Sequence, residues 1–100
     1  MPRYMGIHTF PKNAFTYDQV CKLADAAQHD AKVKGYRSFV SPSQGKAVCV
    51  MDAADENAVR EWFKQMNMPT DAVIEVEIEG DCGRMNQLPQ QRAAMAGAST

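Results

Sequence analysis

YRSFVSPSQGKAVCVMD, residues 36–52, decides the fold, because it reads as two strands joined by a tight turn. YRSFVS (36–41) is rich in residues that suit a pleated strand, PSQG (42–45) is turn chemistry, and KAVCVMD (46–52) is the return strand. Gly45 holds the position most in need of a positive φ.

Both flanks of this hairpin carry helical periodicity. Upstream, Thr16 and Gln19 have the spacing of a capping box, and Val20, Leu23, Ala24, Ala27 and Ala31 follow on one face. Gly35 is the expected stop. Downstream, Asp55 is placed to cap a helix through ENAVREWFKQM (56–66), with Ala58, Val59, Trp62, Phe63 and Met66 as its buried stripe. Pro69 lies beyond the point where that helix must have ended.

Outside the helices lie two more strands. RYMGIHTF (3–10) alternates between Met5 with Ile7 and Tyr4, Gly6, His8 and Phe10. AVIEVEIEG (72–80) alternates between Ile74, Val76 and Ile78 and the column Glu75, Glu77 and Glu79. The order is β-α-β-β-α-β. This is the α+β, ferredoxin-like pattern: a four-stranded antiparallel sheet with both helices on one face. Right-handed crossovers put the first and third strands at the centre of the sheet. Residues 1–80 form this domain. Residues 81–100, with no apolar periodicity, read as a flexible or partner-wrapping tail.

The purely apolar sets (Met5 and Ile7; Val48 and Val50; Ile74, Val76 and Ile78) are expected to face the helices. Tyr4, His8, Phe10, Ala47, Cys49, Met51 and the glutamates then fall on the open face, joined from the second strand by either Tyr36 with Ser38 or Arg37 with Phe39. Such a face is too apolar to stay wet in a small monomer, so a homodimer packed sheet to sheet, a dimeric α+β barrel, is expected.

Composition narrows the function classes. The chain has 100 residues, is 45% hydrophobic and 23% charged, and carries a net charge of −1. That balance, with a pI of about 6.1, excludes the basic footprint of nucleic-acid binding. No run is apolar enough to span a membrane or act as a signal peptide, so a cytoplasmic location is expected. Three cysteines, Cys21, Cys49 and Cys82, form no CxxC or CxxH pair, which argues for free thiols and against a structural zinc site.

His8 is the residue most able to carry chemistry. On the expected open face its cross-strand neighbours include Cys49 and Glu75 or Glu77, and imidazole, thiolate and carboxylate together suit a divalent transition ion. His8, Cys49, Glu75 and Glu77 are therefore the candidate metal ligands. The ordinary roles are a satisfied interior histidine bonded to Tyr4 or a glutamate, an inert buried thiol at Cys49, and a solvated edge for the glutamates. His29, at the end of the first helix, suits the helix dipole, and Cys21 suits the core. PSQGK lacks the glycines of a phosphate-binding loop.

HTFP (8–11), SFVSPSQGKAVCV (38–50) and AADENAVREWFKQMNMPTDAVIEV (53–76) resemble a small ferredoxin-like family catalogued as nickel-binding proteins of unknown function. The resemblance covers about residues 3–79. It implies a ferredoxin-like dimer and Ni²⁺ or another divalent ion, with His8 and Cys49 standing in the matching motifs. Two functions follow as expectations: a homodimeric divalent-metal-binding protein, or a small dimeric enzyme resembling muconolactone isomerases or cofactor-poor monooxygenases. In the second, an apolar small molecule would sit against the sheet with His8 or Glu77 as general base.

Overall fold

Strand β1 (Arg3–Thr9) is followed by helix α1 (Tyr17–His29), strands β2 (Val33–Ser41) and β3 (Lys46–Ala53), helix α2 (Glu56–Gln65) and strand β4 (Ala72–Glu75). The computed structural model describes residues 1–90. The sheet order is β2-β3-β1-β4, antiparallel throughout, so the ferredoxin-like arrangement expected from the element order is the observed one.

Local chemistry accounts for the element ends. Thr16 and Gln19 form the complete capping box, each side chain bonding the other residue's backbone N–H. The Asp55 carboxylate caps α2 by accepting from the Ala58 N–H at 2.9 Å. Helix α2 ends in a Schellman turn, with the Met68 N–H on the Phe63 carbonyl, the Asn67 N–H on the Lys64 carbonyl, and Asn67 at φ 56°. Between β2 and β3, residues Pro42–Gln44 make one 3₁₀ turn closed by Gly45 at φ 68°. A side chain at Gly45 would collide with the Phe10 carbonyl, so both space and φ require glycine there.

Three expectations are corrected. Gly35 does not stop α1, which ends at His29; it lies within β2 beside a bulge at Tyr36. The single strand expected over 72–80 breaks after Glu75, and Ile78–Asp81 (β5) pairs instead with Arg84–Gln87 (β6) in a separate hairpin. Its two-residue turn, Cys82 and Gly83, has both φ values positive (49° and 85°), the backbone that matches strand twist in a tight hairpin. The tail expected at 81–100 is thus hairpin at its start, and residues 91–100 lie outside the described residues.

The third correction concerns the faces of the sheet, which in β1, β3 and β4 are the reverse of those expected. Tyr4, Gly6, His8, Ala47, Met51, Ala53 and Val73 are buried, with Cys49 half-buried among them, and they face the helices. Met5, Ile7, Val48, Val50 and Ile74 take the open face, with Arg37 and Phe39 beside them from β2. Volume explains the choice. Helix α2 brings down Trp62 and Phe63, and large side chains fit over small ones such as Gly6 and Ala53. A Cβ at Gly6 would lie 2.5 Å from the Phe63 ring, so the missing side chain is the space the ring occupies.

Candidate functional site

His8 is fully buried beneath α2. The Schellman turn brings the chain back over β1, and its next residues place the Pro69 carbonyl 2.8 Å from His8 Nδ1. A carbonyl only accepts, so Nδ1 carries the proton and Nε2 is left with its lone pair. Nε2 is shielded from solvent and has no hydrogen-bond partner among the described residues. The Phe63 ring stands against the imidazole in a T-shaped contact, centroids 4.5 Å apart. Burial pushes the His8 pKa below its ordinary 6.5, against the smaller opposing effects of the Pro69 carbonyl and Asp71. His8 is thus a neutral imidazole locked in one tautomer.

The other candidate ligands do not gather around it. Cys49 sits opposite Gly6, diagonal to His8 on the same face, and burial pushes its thiol up to about 11, so it stays protonated at neutral pH. Glu75 pairs with Tyr4, about 13 Å along the strand from His8 at roughly 3.3 Å per residue. Glu77 is exposed between β4 and β5. Among the described residues no group of three His, Cys, Asp or Glu side chains could hold a metal ion. A divalent ion at His8 would need the sealed Nε2 and an ionised neighbour, so these residues do not fit such an ion.

Two other regions have the character of binding surfaces. One is a largely apolar pocket of about 260 Å³, partly open to solvent, lined by α1, β2 and β3 and bordered by Cys49 and Trp62; His8 is not in its lining. The other is the open face. Met5, Ile7, Val48 and Val50 are half-buried along its centre, while Phe39 and Ile74 stand 62% and 47% exposed at its two edges.

A charged cluster closes one end of that face. Arg3 forks onto Asp52 at 2.7 Å and binds Glu79 of β5 at 2.9 Å, and its guanidinium stacks on the Tyr36 ring at 3.6 Å. The Asp52 hydrogen bond is the chief reason that the Arg3 pKa is raised further, outweighing its partial desolvation. The cluster ties the β5–β6 hairpin to the sheet. Sequence reading missed both this cluster and the pocket.

Comparison with known proteins adds the following. Residues 4–76 match the family model described as nickel responsive protein SCO4226-like. The crystal structure of SCO4226 from Streptomyces coelicolor A3(2) superposes with a TM-score of 0.66, covering 78% of this chain and 99% of that one at 20% identity. At that identity the likeness speaks for the fold. No curated protein matches the chain.

Proposed function

The chain belongs to the SCO4226-like family of nickel responsive proteins, and from that premise we propose that it works as a non-enzymatic homodimeric binding protein, its two sheets packed open face to open face. The observation that carries this reading is the open face itself. Five aliphatic side chains on three strands, with Phe39 at the rim, have no helix over them. A continuous apolar surface of this kind is rare on a monomer. A flat sheet face is also self-complementary under a two-fold axis, and two such faces stack about 10 Å apart. Closure of one end by the Arg3 cluster leaves the end around Ile7, Phe39 and Val48 for the partner. Sedimentation of the wild type and of Phe39→Glu tests it: the wild type should run as a dimer, and the variant, with a carboxylate at an already exposed position, as a folded monomer.

Nickel or another divalent ion is the effector that the family description suggests for this chain. The closed surroundings of His8 and the protonated Cys49 argue that any such ion meets other donors. Calorimetry with Ni²⁺ should therefore give the same isotherm for wild type and His8→Ala, and binding lost in the variant would return His8 to the ligand set. The enzyme alternative asks for a base facing an apolar cavity, and the sealed Nε2 of His8 counts against that role.

A further inference from the structure

The β5–β6 hairpin lies past residue 76, where the match to the family ends, and its amphipathic pattern is inverted. Its register puts Ile78, Gly80, Met85 and Gln87 on one side and Glu79, Asp81, Arg84 and Asn86 on the other. Met85 lies across Gly80, where an added Cβ would stand 2.8 Å from its sulfur. The polar side is the one turned to the hairpin's own protomer. Glu79 accepts from Arg3 at 2.9 Å with both carboxylate oxygens, and from the Tyr36 hydroxyl at 3.3 Å. The apolar side therefore faces away, leaving Ile78 61% and Met85 71% exposed. Of the eight strand residues only Glu79 is half-buried. A two-stranded hairpin is marginal in water unless its apolar side packs on something. This one has turned that side away from the core of its own chain.

The footing of the hairpin says what it meets. Arg3 shares strand parity with Met5 and Ile7, and Asp52 with Val48 and Val50, so the cluster that holds Glu79 rises from the open face. The hairpin thus stands at one end of that face, on the side where the proposed partner sheet stacks. Two hairpins at the same end of the pair would compete for one space. A two-fold axis running across the strands avoids this and sets each hairpin over the far end of the other sheet. At that end Ile7, Phe39, Val48 and Lys46 border an open hollow. Resting on the homodimer reading, we infer that the β5–β6 hairpin is a dimerisation arm. It reaches across to a second copy of this chain and packs Ile78 and Met85 against the partner's Ile7, the partner's Phe39 and the partner's Val48.

Equal amounts of ¹³C,¹⁵N-labelled and unlabelled full-length protein give mixed pairs, in which isotope-filtered NMR reads contacts between copies alone. The Ile78 and Met85 methyls should show cross-peaks to the Phe39 ring and to the Ile7 and Val48 methyls of the other copy. Ile78→Glu combined with Met85→Glu, both at exposed positions, should weaken self-association roughly a hundredfold in sedimentation equilibrium, with the circular dichroism of the wild type. Met85→Glu alone serves if the double variant does not fold. A wild type that sediments as one chain overturns the arm together with the homodimer. A dimer without cross-peaks between the hairpin and that hollow, or a folded variant that pairs as tightly as the wild type, overturns the arm alone and leaves the open-face homodimer standing.

Discussion

The two faces of the sheet are almost equally apolar, yet they do opposite things. The covered face is built from unlike sizes: Gly6 and Ala53 pack with Trp62 and Phe63, with His8 fixed between a carbonyl and an aromatic ring. The open face is built from like sizes, a field of Val, Ile and Met with no helix over it. Unevenness marks the surface that fits helices, and evenness marks the surface suited to another sheet. Polarity alone does not separate them.

Changes on the covered face should cost the most. Phe63→Ala removes the ring that fills the hollow over Gly6, and a loss of about 3–5 kcal/mol in urea unfolding is expected. Gly6→Ala approaches the same contact from below. The added carbon would stand 2.5 Å from the ring, and a loss of about 1–3 kcal/mol is expected from the forced shift.

Acid should act through His8. The unfolded ring titrates near 6.5 and the folded ring lower, so below pH 6.5 the unfolded chain takes up a proton that the folded chain refuses. Stability should therefore fall as pH drops from about 6.5 toward the lowered folded value, with a slope of at most about 1.4 kcal/mol per pH unit. His8→Gln should remove that component of the slope while lowering stability at neutral pH, as urea melts across the pH range would read. Smallest of all should be the effect of Phe39→Glu on the folded protomer, within about 0.5 kcal/mol, because the side chain is already mostly exposed. Its circular dichroism should match the wild type even as the dimer separates.

Much of the fold was legible in the sequence, because its local signals agree. Thr16 with Gln19, Asp55, and Gly45 announced both helix starts and the hairpin turn, and each forms as expected. Which face the helices cover was not legible from alternation, since period-two patterning separates two sets without naming the buried one. Matching Trp62 and Phe63 to the small residues Gly6 and Ala53 would have named it. The break after Glu75 was hidden because the Val76–Ile78 alternation continues through it, while the cue for the second hairpin, Gly83 after Cys82, lacks the usual Asn or Asp. The candidate ligand set followed from the face assignment. Once His8 is placed under α2, its nearest chemistry is the Pro69 carbonyl from a distant turn, a backbone contact that no residue pattern advertises.

The homodimer is the central claim, and the mass in solution tests it most directly. Light scattering on the wild-type protein at micromolar concentration should give twice the 11.1 kDa of one chain, and Phe39→Glu should give the single mass. A wild type that scatters as a single 11.1 kDa chain would contradict the account, because the apolar open face would then stand in water without a partner.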